Sequence, residues 1–207
     1  MKSLVVISKF NENIDWLEKI NHDILIYDKS DSPVDNVIHL RNVGREAGTL
    51  LYYIICNYTN LPDIIIYLQG DPRGNPIDRT IEEVIEVVND IKTPELFYFS
   101  HGNVKLSEYW LKSSLILNEF LFENTDIMTK YSHGVQYGIP RENILNRPLN
   151  FYWYLFNEVM KFGNKELLGN KTDLIDGIDA WTLEPIWGNI FDLNKILKDN
   201  YKEHENN

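Results

Sequence analysis

A chain of 207 residues with 43% hydrophobic and 13% aromatic side chains is long enough for one domain with a substantial core. Its formal net charge of -11 argues against a nucleic-acid binder, which needs a basic surplus to neutralise phosphates. A nucleotide ligand, held by a few local contacts, stays open. The single cysteine, Cys56, excludes a disulfide framework within the chain.

Ser3–Ser8 (SLVVIS) is a short continuous apolar run and predicts a central strand buried on both faces. It is too short for a signal peptide or a transmembrane segment, and no other stretch is long enough to cross a bilayer. The expectation is a soluble protein, cytoplasmic or otherwise intracellular. Asn13 can cap a following helix in which Ile14, Leu17 and Ile20 recur at helical spacing. Asp23–Lys29 predicts a second strand, residues 30–36 a loop, and Val37–Leu40 a short third strand. Gly44 breaks a polar loop ahead of a helix over Glu46–Tyr58, with Leu50, Leu51, Ile54 and Ile55 on one face. Cys56 reads as a small buried hydrophobe inside that helix. Asp63–Gln69 (DIIIYLQ) is a fourth strand, favoured by three successive isoleucines. The next helix opens near Pro76 and carries Ile77, Ile81, Val84, Ile85 and Val88 on one side.

Strands and helices thus alternate through residue 92, which predicts an α/β fold with right-handed crossovers and a mostly parallel central sheet flanked by helices. Beyond that point the pattern loosens. A strand is expected at Glu95–Ser100, loops and a short helix over 101–132, and a strand at Gly134–Pro140. A short helix (141–148), an aromatic helix (149–162), a loop-rich segment (164–179) and a closing helix or two (180–197) complete the chain, with Pro185 starting or bending one of them. The polar tail from Lys198 is expected to fray.

Ligands of open parallel sheets bind beyond the carboxyl ends of the strands. Here those ends read SKFNEN, YDKSDS and LQGDPRGN. Asp28, Ser30 and Asp31 follow the second strand; they can accept hydrogen bonds from a nucleoside or serve ordinary turn chemistry. Gly44 and Arg45 stand where a loop enters a helix, a place suited to phosphate oxygens, or Arg45 is a surface residue paired with Glu46. Gln69, Gly70 and Asp71 end the fourth strand. Asp71 suits a hard divalent cation such as Mn2+ or Mg2+, and Gly-Asp-Pro equally suits a turn. Its place in a series of polar strand ends tips Asp71 toward function. Glu184 (TLEPIW) is a carboxylate among apolar and aromatic neighbours, a general-base candidate with raised proton affinity, or a helix-start acid. His22, His39, His101, His133 and His204 lack zinc spacing, although His101 and His133 each precede a glycine in an expected loop. No Walker A loop, Gly-x-Gly-x-x-Gly fingerprint or Gly-x-Ser-x-Gly elbow is present.

Taken in order, LVVISKFNENIDWL, ILIYDKSDS, NVGREAGTLLYYII and IIIYLQGDP resemble the first half of glycosyltransferases with the GT-A fold. FNENIDWL, GVQYGIPRENILNRPLNFYWYLF and LEPIWGNIF, with NVGRE and LQGDP, are similar to domain-of-unknown-function family 3431 across nearly the whole chain. The GT-A resemblance implies one domain over 1–207, with a nucleotide-binding half (1–92), an acceptor-side half (93–200) and a flexible tail (201–207). It implies transfer of a sugar from a nucleotide-sugar donor to a hydroxyl acceptor, glycan or other. Asn11, Glu12, Asp28, Asp31, Arg45, Gln69 and Gly70 would bind the donor, Asp71 would hold the metal, and Glu184 and Asp71 would be catalytic. Gln69 stands where the first acid of the family's Asp-x-Asp motif belongs and is a poor ligand for a divalent cation. Arg45, Arg73 or Arg79 would then share the diphosphate charge. The rival expectation is a non-catalytic nucleotide-sugar or glycan-binding module of the same fold.

Overall fold

The computed structural model describes residues 1–32, 35–73, 79–100, 102–108, 112–123, 128–167 and 178–206. Strands β1 (Ser3–Lys9), β2 (Asp23–Asp28), β3 (Ile38–His39) and β4 (Ile64–Gln69) run parallel. They join β5 (Phe97–Tyr98) and the later β8 (Tyr137–Pro140) in one sheet of order β3-β2-β1-β4-β8-β5. Only β8 runs against the others, antiparallel to both β4 and β5. The sheet is therefore mixed and mostly parallel, as the alternation of elements predicts.

Period-two alternation divides the core. Val6, Ile65 and Tyr67 face one way, onto helices α1 (Arg45–Asn57) and α5 (Leu149–Leu167). Val5, Ile7, Ile66 and Leu68 face the other, onto a 3-10 turn at Asp15–Lys19 and α2 (Ile81–Asp90). All five residues of Ile64–Leu68 are fully buried, and the four aliphatic ones each contribute about 1.5–3 kcal/mol of transfer free energy. The helix expected after Asn13 is only that 3-10 turn, and Asn13 does not cap it: the cap position is Ile14, without a side-chain hydrogen bond, and the Asn13 side chain accepts the Asp15 N–H at 2.7 Å in a local turn ahead of it.

Several expectations shift. α2 begins at Ile81 on a complete Thr80–Glu83 capping box, and Pro76 and Ile77 lie outside the described residues. Within 101–132 the structure adds a second, antiparallel sheet of β6 (Gly102–Lys105) and β7 (Met128–Tyr131), with α3 (Lys112–Leu121) between them. The segment after α4 (Arg141–Leu145) forms α5 as far as Leu167; the rest of the expected loop, 168–177, lies outside the described residues. The closing stretch divides at Pro185 into α6 (Ala180–Leu183), a 3-10 turn and α7 (Trp187–Phe191).

Cys56 is exposed, contrary to the expectation. The buried stripe of α1 runs Ala47, Leu50, Leu51, Ile54, and Cys56 lies about 200° round the helix from Ile54. The tail expected to fray is a 3-10 segment in which Tyr201 is buried against Phe151, ring centroids 5.5 Å apart.

One buried cation ties the C-terminal segment to this core. Arg147 donates to the carbonyls of Asn189, Ile190, Asp192 and Lys195 at 2.8–3.2 Å, so its guanidinium fork satisfies four backbone acceptors, two in the last turn of α7 and two beyond it. No described helix is long and apolar enough to cross a membrane.

Candidate active site

The carboxyl ends of β1, β2 and β4 and the start of α1 open into two cavities with Arg45 and Glu46 as a shared wall. The first, about 210 Å3, adds Gln69, His133, Gly134, Val135, Gln136, Ala180, Trp181 and Glu184. The second, about 400 Å3, adds Ser8, Lys9, Phe10, Glu12, Lys29 and the loop 42–44.

Two strained turns meet at the first cavity. Gly44 has φ 68° and Arg45 φ 46°, so the chain enters α1 through left-handed backbone. A side chain at Gly44 would also meet Val159 of α5 at 2.5 Å. On the opposite wall Gly134 has φ 64° and Val135 φ 59°, an outlying conformation for a β-branched residue. Strained backbone gathers where function over-determines it.

The second turn holds the central carboxylate. Glu184 is 7% exposed, and its Oε1 accepts the Gly134 N–H at 2.9 Å. Burial raises its proton affinity above the ordinary carboxylate range; the Gly134 hydrogen bond opposes this and the negative charge of Glu46 adds to it. His133 Nδ1 lies 3.7 Å from Glu184 Oε1. Burial lowers the imidazole's proton affinity, so this contact pairs a neutral ring with the carboxylate at neutral pH. The Arg45 guanidinium stacks on Trp181 of α6, 5.1 Å from the ring centroid. The Gln136 amide nitrogen sits 3.4 Å from the carbonyls of Pro72 and His133, and its buried Oε1 has no hydrogen-bond partner.

The cations of the second cavity come from strand ends. The β1–β2 register sets Lys9 beside Asp28, and the two form a buried ion pair at 3.0 Å. Lys29, one residue on, donates to the carbonyls of Val43 and Arg45. Burial pushes its pKa down to about 8.

The predicted residues separate on this map. Arg45, Gln69 and Glu184 line the first cavity, and Glu12 and Arg45 the second. Asp28 is 0% exposed, bound to Lys9 and to the Ser30 N–H, so it orders the loop and lines neither cavity. Asn11 and Asp31 are exposed and also line neither. Gly70 accommodates Glu12, whose Oε2 a side chain there would meet at 2.7 Å. Asp71 forms a two-point pair with Arg73, Nε–Oδ1 and Nη2–Oδ2 both 2.9 Å, and Arg73 holds its carboxyl below the usual range. Arg79 lines a separate groove with Ile91 and Phe97. Among the described residues no three His, Cys, Asp or Glu side chains come together as metal ligands. Among the described residues, the donors at Asp71 are a poor fit for a resident divalent cation: one acid, paired with Arg73, beside a glutamine. His101 lies outside the described residues.

A family model described as protein of unknown function, DUF3431, matches residues 4–107. The chain belongs to that family. No curated protein and no solved structure matches it. Within this DUF3431 chain the matched span carries Lys29, Arg45, Gln69 and Asp71, whereas His133, Gly134, Gln136 and Glu184 come from the part that follows it. Sequence reasoning missed Lys29, Gln136 and Trp181 as cavity residues. The signal for Lys29 is its position immediately after a strand end.

Proposed function

We propose that this protein is a glycosyltransferase with a GT-A-like fold, moving a sugar from a nucleotide-sugar donor to a hydroxyl of a glycan or other acceptor. The observation that carries the reading is Glu184: a buried carboxylate of raised proton affinity, at the strand-end cleft, in a cavity that shares a wall with a second one lined by cations. The donor's sugar occupies the first cavity and its nucleoside diphosphate the second. In an inverting transfer Glu184 takes the proton of the acceptor hydroxyl as that oxygen bonds to the anomeric carbon. The bond from that carbon to the diphosphate oxygen breaks, and the diphosphate leaves with the electron pair. The Gly134 N–H holds the base in place, and the stacked Arg45 guanidinium lies between sugar and diphosphate.

Asp71 is assigned no step, because Arg73 occupies its carboxylate. The same pairing, with Gln69 beside it, favours the second reading, a nucleotide-sugar or glycan-binding module without turnover. A panel of nucleotide sugars with hydroxyl acceptors separates the two. The transferase releases nucleoside diphosphate with at least one donor, and E184Q lowers the rate at least a hundredfold while donor binding persists (general-base catalysis is worth roughly 10²–10⁴). Binding without release across the panel makes it a module. Equal rates in wild type and E184Q remove Glu184 as the base.

A further inference from the structure

The nucleotide-sugar reading leaves open what neutralises the diphosphate, and a buried lysine supplies an answer. Lys29 is 5% exposed and lies in the wall of the second cavity. Its two hydrogen bonds go to uncharged carbonyls, of Val43 and Arg45. An ammonium has three N–H donors, so one is unspent. The neighbouring acids are committed or set apart. Asp28 of β2 is paired with Lys9 of β1, and Glu12 accepts the Phe10 N–H at 2.6 Å. Glu46 of α1 acts on Lys29 only over a distance, and among the described residues no carboxylate lies within 4.0 Å of the Lys29 Nζ. A buried charge without a counter-ion is costly, and a protein of net charge -11 has acids to spare for pairing one.

The cavity that Lys29 lines also receives the first turn of α1. The chain enters that helix through left-handed Gly44 and Arg45, and the N–H groups of a first helical turn have no partner within the helix. Arg45 adds a second permanent charge to the same wall. The second cavity therefore joins a buried ammonium with no carboxylate in contact, a guanidinium and the N–H groups of the first turn of α1 in about 400 Å3, with Glu12 and Glu46 also in its lining.

The geometry points to a metal-independent diphosphate seat, in which Lys29, Arg45 and the first turn of α1 bind the donor's diphosphate where Asp71 and a divalent cation would be expected. This rests on the nucleotide-sugar reading for the identity of the ligand, but the seat itself is a claim about phosphoanion binding. Lys29 approaches the phosphates as a point charge through its unspent N–H. Lys9 keeps Asp28 paired beneath the seat, so the acids that face the ligand from the cavity wall are Glu12 and Glu46. Arg73 keeps Asp71 occupied outside both cavities.

Calorimetric titration of the full chain with inorganic pyrophosphate and with uridine diphosphate, in EDTA and in Mn2+, tests the seat. Pyrophosphate is expected to bind in EDTA at pH 7, with Mn2+ changing the affinity less than threefold. K29M should weaken binding tenfold or more, and D71A should leave it unchanged. Wild-type affinity for uridine diphosphate should fall as pH rises through about 8, where the Lys29 ammonium is lost; Lys9, Arg45, Asp28, Glu12 and Glu46 are the other charged groups around the seat. That arm needs no variant, so it decides even if K29M does not fold. Binding that requires Mn2+ and disappears in D71A overturns the seat, as does K29M binding like wild type or no pyrophosphate binding at all. Pyrophosphate binding with no sugar transferred from any donor leaves the seat standing and removes the transferase reading.

Discussion

Gly134→Ala tests the strained turn that carries Glu184. The glycine has φ 64°, and an alanine there pays about 1–2 kcal/mol for left-handed backbone. Its methyl carbon would also lie 2.4 Å from Gln69 Nε2 and 2.7 Å from Gln69 Cδ. Those atoms are the end of a flexible side chain, so the clash is relieved by moving Gln69 off its rotamer at about 0.5–1.5 kcal/mol. The total is about 1.5–3.5 kcal/mol, or a Tm lower by about 3–14 °C for a chain of this size. Thermal unfolding followed by circular dichroism measures it. Combining Gly134→Ala with Gln69→Ala should recover the rotamer part and leave the backbone part, a positive coupling between the two sites. A Gly134→Ala protein within 0.5 °C of wild type, or a double variant with no coupling, would refute the strained-turn argument.

Three further outcomes are expected. Arg147→Ala leaves four backbone carbonyls without their donor and should cost at least about 3 kcal/mol in urea unfolding, with Arg147→Lys recovering only a part because an ammonium cannot reproduce the fork. Glu184 has a folded-state pKa above its unfolded value, so it contributes stability that is whole below about pH 4.5 and is lost as pH rises through the folded value; urea melts should show wild type losing ground to Glu184→Gln across that window, and parallel curves would contradict the burial of the carboxylate. Cys56 should react with a thiol reagent in the native protein at close to the rate of a small free thiol, whereas protection until denaturant is added would return it to the core.

How much of this was legible in the sequence follows from the physics of each element. Strands β1 and β4 are continuous apolar runs, which only a sheet covered on both faces produces, so their positions and the polar cleft at their ends could be read directly. The start of α2 was also written in the chain, as Thr80-x-x-Glu83, but the nearby proline drew the boundary upstream. The small sheet of β6 and β7 was not legible. GNVK and MTKY carry little apolar periodicity, and their pairing depends on contacts more than twenty residues apart. Site residues divide in the same way. Glu184 stood out as an acid in an apolar context, and Arg45 as a cation at a helix entry. Asp28 and Asp71 both stand at polar strand ends, and only Asp71 tips toward function in the sequence, yet register pairs the first with Lys9, and a local fork pairs the second with Arg73. Pairings of that kind depend on side-chain geometry, which sequence spacing does not encode. Lys29 was hidden for the opposite reason, because lysines at strand ends are ordinary until one of them is found buried without a counter-ion.

The placement of donor and base decides the account. A crystal structure of the full chain with a non-transferable nucleotide-sugar analogue, grown in EDTA, is the direct measurement. The account predicts the diphosphate beside Lys29 and Arg45, and the sugar beside Glu184 with its anomeric carbon facing that carboxylate. An analogue bound instead at Asp71 and Arg73, or density absent from both cavities at saturating concentration, would contradict it.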